Sequence, residues 1–262
     1  VQHNLEVKYG TDKPVYIQYL NYIGGLVRGD FGISIQKQPG TPVTTFITRG
    51  FPVSMRLGLV AVIFATIMGL LMGILAALKN GKIADHTVML LATIGTSVPS
   101  FVVATSSLII FGVSFDLLPT IGLDSPANYI MPGFALSFFP LSFIARLMRS
   151  SMLDVIHMDY IKTARAKGLR ESVVIVRHAA RNAIQPVVTY LGTLLAGVLT
   201  GSVVIEKIFS IPGIGRSFVD SITARDYPLI MGATMIITVM LVTATLLTDI
   251  AYVAIDPRIR LG

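Results

Sequence analysis

Residues 57–78 read LGLVAVIFATIMGLLMGILAAL, twenty-two positions without a charged side chain. A bilayer core of about 30 Å takes roughly 20 helical residues to cross, so this stretch alone is long enough to span one. The pattern recurs along the chain. Thr87 to Phe115 is uncharged over 29 residues, Tyr129 to Ile144 extends through Ala145 and Leu147, and Ile184 to Ile205 and Pro228 to Leu247 complete a set of five. Spans are expected at about 55–78, 87–115, 129–148, 184–205 and 228–252, inside a membrane domain of residues 53–255. The fold class implied is an all-α integral membrane protein, a polytopic helical bundle.

The composition agrees. Of 262 residues, 53% are apolar and 13% charged, against roughly a quarter charged in an average soluble domain. The chain has no Cys, which excludes a disulfide framework, a thiolate nucleophile and a Cys-ligated metal. It has no G-x-x-x-x-G-K-[ST] stretch to cradle ATP phosphates. Asp30-Phe31-Gly32 copies a kinase triplet without that fold's Gly-rich loop or catalytic loop. His3, His86, His157 and His178 lack metal-ligand spacing. No catalytic site, no metal and no enzyme activity of its own are expected.

The net charge of +7 has to be located before it is interpreted. Twelve basic residues fall in three alternate segments: Lys79 and Lys82, then Arg146, Arg149, Lys162, Arg165, Lys167, Arg170, Arg177 and Arg181, then Arg258 and Arg260. The opposite side holds three, Lys207, Arg216 and Arg225. The side with the surplus stays cytoplasmic. Loop 149–183 and the tail 256–262 are therefore expected inside, and loop 206–227 and segment 1–52 outside. An external N-terminus on a chain starting at Val1 suggests a sixth helix upstream, or less readily a cleaved signal peptide. Within 1–52, Asp12 and Pro14 suit a helix start, Tyr16, Tyr19, Leu20 and Ile23 follow at helical spacing, and Val43, Phe46 and Ile47 make a second apolar face. Interfacial helices and an ordinary packed external subdomain both fit.

Inside the spans, Gly69 with Gly73 and Gly197 with Gly201 are small-xxx-small pairs that permit close helix contact, within the chain or between chains. Pro99, Pro132 and Pro140 remove backbone donors. Ser97 and Ser100 flank Pro99 and make that turn the first candidate for lining a path. Arg56 and Asp249 sit at span ends, so a proton or sodium relay has no carrier near the midplane, unlike a typical secondary transporter.

The segment from Arg146 to Gln185 is the most informative. Eight basic and three acidic residues supply most of the net charge. Asp159 is placed to cap a short helix with Ile161 and Ala164 on one face, Lys162 and Arg165 on another, and Gly168 as its stop. A second helix is expected from Ser172 to Asn182, before Pro186 opens the next span. A basic surface of this kind suits anionic lipid heads. Equally, the weakly apolar face suits insertion into a cytoplasmic partner's groove.

The run Asp159-Tyr160-Ile161-Lys162-Thr163-Ala164-Arg165-Ala166-Lys167-Gly168-Leu169, followed by Arg177-His178-Ala179-Ala180-Arg181-Asn182 and Pro186, resembles the cytoplasmic loop of ABC-importer permeases of the oligopeptide and dipeptide type. Ala164 and Gly168 keep the family's Ala and Gly; Lys162 and Thr163 replace its Glu and first Ala, and Ala180-Arg181 its Leu-Pro, as in the peptide-permease version. Residues 29–34 (GDFGIS), 97–101 (SVPSF), 145–152 (ARLMRSSM), 201–215 (GSVVIEKIFSIPGIG) and 256–260 (DPRIR) are also similar to the B-type peptide permease subunit.

The resemblance implies a type I ABC importer permease fold in a bacterial cytoplasmic membrane. It implies as partners a second homologous permease, two ATPase subunits that hold ATP and Mg, an extracytoplasmic peptide-binding protein, peptide substrate and membrane lipid, with no nucleic acid and no cofactor on this chain. Asp159 to Leu169 would couple to the ATPase, with Lys162, Arg165 and Lys167 meeting acidic groups and Gly168 allowing close approach and a sharp turn. His178, Arg181, Asn182 and Pro186 would brace the loop. Ser97, Pro99, Ser100, Glu206, Pro212 and Gly213 are the candidates for the path; Ile211 to Gly215 reads as a tight turn, either facing the binding protein or re-entrant. A permease for a nickel complex or glutathione, an ATP-independent carrier or channel, and a membrane scaffold are the competing readings.

Overall fold

The computed structural model describes residues 13–123, 125–199 and 203–255. They form α1 (Val15–Val27), α2 (Val43–Leu78), α3 (Ile83–Ser97) and α4 (Ser100–Ser107), the last continuing as a π-helical stretch Leu108–Ser114. A 3-10 turn Pro126–Tyr129 leads into α5 (Ile130–Ile156), followed by α6 (Asp159–Ala166). Glu171–Val173, a π-helical stretch Val174–Ala180 and Arg181–Ala183 succeed one another without a break and are taken together as α7. Then come α8 (Gln185–Leu199), α9 (Val203–Ile208), α10 (Ile214–Ala224) and α11 (Tyr227–Ile255). Among the described residues there are no β-strands, only an isolated bridge between Ile33 and Pro42.

Among the described residues, three helical stretches are long and apolar enough to cross a membrane: Val43–Leu78, Pro126–Ile156 and Tyr227–Thr248. A fourth crossing arises if Ile83–Ser97 and Ser100–Ser114 act together, although they meet at 104°. The span expected over 87–115 is thus broken at its Pro99 turn. Pro99 has no N–H to donate and disfavours the helical region for the residue before it, and Val98 is accordingly extended (φ −86°, ψ 123°). The expected span 184–205 is described as α8 and then resumes at Val203.

The N-terminal segment also differs from expectation. Pro14 is the N-cap of α1, one position before the helix, and Asp12 lies outside the described residues. Val43, Phe46 and Ile47 belong to the first turns of α2, which runs unbroken over 36 residues through Pro52 into the membrane.

α5 is the central helix. A Cβ on Gly69 would fall 2.8 Å from the Ile144 Cβ and 2.9 Å from the Leu141 carbonyl, and one on Gly73 would fall 2.6 Å from the Ala145 carbonyl. The Gly69/Gly73 pair therefore seats α2 on α5 within one chain, where dispersion between close backbones replaces the hydrophobic force that lipid removes. Gly95 of α3 packs on Ser142 of α5 in the same way. A Cβ on Gly197 would meet nothing within 4 Å, and Gly201 lies outside the described residues. Leu59, Ile63, Ile67, Leu71 and Leu75, every fourth residue of α2, are exposed and form an apolar stripe facing away from the core.

Candidate functional site

α6 extends from the end of α5 through His157 and Met158 alone. Its N-cap is Met158; Asp159, expected as the cap, is the first helical residue, where its charge complements the helix dipole and pairs with Lys162 at 2.8 Å. The C-terminus closes as a Schellman motif. The Gly168 N–H donates to the Arg165 carbonyl at 2.9 Å, the Leu169 N–H to the Ala164 carbonyl at 3.4 Å, and Gly168 has φ +73°. A Cβ at Gly168 would meet nothing within 4 Å among the described residues beyond its chain neighbours, and the left-handed backbone by itself favours glycine here.

Ile161 and Ala164 are buried, at 0% and 7% exposure, in one cluster with Met148, Met152 and Val155 of α5 and Val174 and Ala179 of α7. The expected groove-filling apolar face therefore faces the chain's own core. The exposed residues of α6 and its caps are Met158, Asp159, Tyr160, Lys162, Thr163, Arg165, Ala166 and Lys167. The cations are not equivalent. Arg165 grips Glu171 with Nη2 and Nε at 2.6 and 3.1 Å, and this bond holds the Glu171 carboxyl below its ordinary value. Lys162 is engaged with Asp159, whereas Lys167 makes no ion pair among the described residues.

Of the bracing candidates, Asn182 donates from Nδ2 to the Tyr160 hydroxyl at 2.7 Å, tying α7 to α6. Arg181 and Pro186 are exposed and His178 is half-buried. α7 begins at Glu171, one residue before its expected start.

One strong interaction, between the start of α3 and α5, escaped the sequence reading. Arg149 of α5 pairs with Asp85 of α3 through two bonds, Nε to Oδ1 at 2.5 Å and Nη2 to Oδ2 at 2.6 Å. Asp85 is 2% exposed and also accepts the Gly81 N–H at 2.9 Å, while Arg149 reaches the Asn80 side-chain oxygen at 3.1 Å. A bidentate, largely desolvated pair of this kind joins two helices rigidly. α5 thus carries α6 on one side and holds α3, with its break at Pro99, on another.

The candidates for the path separate into two groups. Ser97 and Pro99 are exposed and Ser100 is half-buried, at the broken turn; the Ser97 hydroxyl donates to the Thr93 carbonyl at 2.8 Å. Arg146 of α5 reaches the Thr93 and Thr96 hydroxyls at 3.4 and 3.3 Å, which leaves a polar edge there. Glu206 and Gly213 are buried within this chain. Glu206 is fully buried, accepting from the Ser54 hydroxyl at 2.7 Å and from the Arg216 N–H at 2.9 Å, in the first turn of α10. The carboxylate thus complements a helix N-terminus. A Cβ on Gly213 would lie 2.3 Å from the Glu206 Oε2, so this glycine is needed to admit the carboxylate. Pro212 alone of this trio is exposed.

A second carboxylate clamp joins distant segments. Asp226, fully buried, accepts from the Ser34 hydroxyl and from the N–H groups of Ile35, Gln36 and Lys37 at 3.2, 3.1 and 3.0 Å. Burial pushes its carboxyl up, but these donors outweigh burial and hold it below the ordinary range. Lys37 adds an ion pair to Asp220 at 3.2 Å. The GDFGIS stretch thereby leads into the loop that embraces the start of α11; Asp30 turns the chain by accepting the Gly32 N–H at 2.8 Å.

With this geometry established, similarity to other proteins becomes interpretable. Residues 69–261 match the family described as binding-protein-dependent transport system inner membrane component. The chain is 48% identical over 261 residues to the dipeptide transport system permease protein DppB of Bacillus subtilis (strain 168), covering 100% of this chain and 84% of that protein. It is 41% identical over 262 residues to the oligopeptide transport system permease protein OppB of Haemophilus influenzae, covering 99% and 85%. Among solved structures, an inward-facing MetNI methionine ABC transporter superposes with a TM-score of 0.66 at 18% identity, over 80% of this chain and 96% of that one. An amino acid ABC transporter gives 0.60 at 18%, over 79% and 92%. At that identity these two establish the shared fold only.

Proposed function

The chain belongs to the binding-protein-dependent transport system inner membrane components, and we propose on that premise that it is a permease subunit of an ATP-driven importer of peptides. Its fold is that of a type I importer permease. Peptides are the substrate class that the names of its relatives support, over nearly the whole of this chain. The partners in this reading are a second permease, two ATPase subunits that bind ATP and Mg, and an external binding protein that delivers the peptide. The membrane is a bacterial cytoplasmic membrane, and the C-terminus and α6 are cytoplasmic.

The observation that carries the coupling role is the way α6 is mounted. Its apolar side shares a core with α5 and its polar side faces outward, so a force on the outer face moves α5 with it. The Asp85–Arg149 pair passes that movement to α3 and to the broken turn at Pro99. Transmission requires that the ATPase contact α6 differently in its open and closed states, because equal contact in both would shift nothing. Lys167, which has no ion pair among the described residues while Lys162 and Arg165 do, meets the ATPase; Arg165 with Glu171 and Asn182 with Tyr160 hold the docked surface in shape.

The absence of native cysteine allows a direct test. A single Thr163→Cys substitution places a thiol on the exposed face of α6. In the assembled complex it is expected to cross-link to an ATPase subunit with a yield that changes when ATP replaces the nucleotide-free state. No cross-link in either state would sink the coupling role.

A further inference from the structure

Midway along α2, its residues 56–64 and the start of α5 line an open groove of about 720 Å³ whose lining includes Leu59, Val60, Phe64, Ile130 and Phe134. Gly133 keeps its floor open, since the only atom near a Cβ there would be the Val60 Cγ1, at 3.3 Å. Phe64 and Phe134 meet edge to face, ring centroids 6.3 Å apart. The lining has one charged residue, Arg56, which is exposed and makes no ion pair or hydrogen bond among the described residues.

Depth defines what this groove meets. Arg56 lies 22 residues from Leu78, the last residue of α2. At about 1.5 Å per residue this is ~33 Å, close to the ~30 Å hydrocarbon thickness, so Arg56 lies at headgroup level. Phe64, eight residues further along α2, is then ~12 Å deeper, near the middle of the bilayer. An unpaired guanidinium at the phosphate level above an apolar trough is complementary to one kind of molecule. We propose that the groove seats a phospholipid of the leaflet opposite α6, its phosphate on Arg56 and an acyl chain along Leu59, Phe64, Ile130 and Phe134. A peptide zwitterion fits poorly, because its carboxylate would find Arg56 but its ammonium no acid in the lining, and burying an unpaired charge is costly. The proposal needs only that α2 spans the membrane and stands apart from the transport reading.

The test uses the assembled complex in nanodiscs that contain phosphatidylglycerol with a photoactivatable diazirine on its acyl chain. After irradiation, adducts mapped by mass spectrometry are expected to concentrate on 59–64 and 130–134. They should fall roughly fivefold in Arg56→Gln, as expected for loss of one charge-assisted contact, and recover in Arg56→Lys. Equal labelling of Arg56→Gln and the parent, spread along the Ile63 to Leu75 stripe, would mean bulk lipid and overturn the proposal. A groove without lipid adducts, in which a photoactivatable residue at Leu59 cross-links a protein subunit, would assign it to a subunit contact and overturn it equally. Arg56 has no ion-pair or hydrogen-bond partner among the described residues whose loss would prevent folding, so a variant complex recovered in normal yield makes any of these outcomes decisive.

Discussion

Gly168 turns the chain in a left-handed conformation that costs an L-residue about 1–2 kcal/mol, and it does so in open space. Gly168→Asp is therefore expected to loosen the end of α6 without disturbing the bundle: membrane insertion stays normal and uptake falls severalfold, measured in vesicles with matched complex content. Lys167→Glu is expected to weaken ATPase association and to make the remaining association less salt-sensitive, measured by co-purification across ionic strengths. The same change at Arg165 acts differently, because it breaks the pair with Glu171 and distorts the docked surface itself. Glu206→Ala would leave the Ser54 hydroxyl and the first N–H groups of α10 unsatisfied, a loss of about 2–4 kcal/mol read as lower thermal stability of the purified complex. Gly168 and Ala164 were legible in the sequence because helix and stop are local. The role of Glu206 was not, since its partner Ser54 lies 152 positions away and only folding brings the two together.

At the scale of elements, the long apolar helices Val43–Leu78, Pro126–Ile156 and Tyr227–Thr248 were legible because uncharged runs of about 20 residues have few other uses. What the runs concealed was where helices start and bend. α2 begins at Val43, well before its apolar run, because Thr44, Thr45, Thr48 and Arg49 are acceptable helix residues outside the core. Pro99 was visible in the sequence, but an angle of 104° was not. The Asp85–Arg149 pair holds α3 against α5, and removing Arg149 leaves the buried Asp85 carboxylate without its cation. Arg149→Ala is expected to destabilise this contact by about 3 kcal/mol, and exchanging the two charges to recover part of it, measured by thermal unfolding of the complex. The Asp226 clamp gives a pH prediction. A carboxyl held below its ordinary value stabilises the fold above its unfolded pKa of about 3.9 and loses that contribution as pH falls through the lower folded value. Amide exchange at residues 35–37, corrected for its intrinsic pH dependence, should therefore show constant protection from neutral pH to about 4 and loss only below. Asp226→Asn should abolish the acid step.

At the scale of the whole molecule, the exposed apolar stripe of α2 and the outward polar face of α6 are the surfaces that the proposed function assigns to lipid or another permease and to an ATPase. The family was legible from motifs spread along the chain because each marks a place where local geometry restricts the residue: a left-handed glycine at 168, a glycine admitting a carboxylate at 213, an Asx turn at Asp30. The inward facing of Ile161 and Ala164 was not legible, since amphipathicity shows that a helix has an apolar side but not which body covers it. The central claim is that energy released on one subunit reaches a path in another through α6. Its most direct test measures ATP hydrolysis and peptide uptake side by side in proteoliposomes holding the complete complex, with binding protein, peptide and ATP omitted one at a time. The account predicts that hydrolysis and uptake rise together only when all three are present. Uptake that persists without ATP, or hydrolysis indifferent to binding protein and peptide, would contradict it.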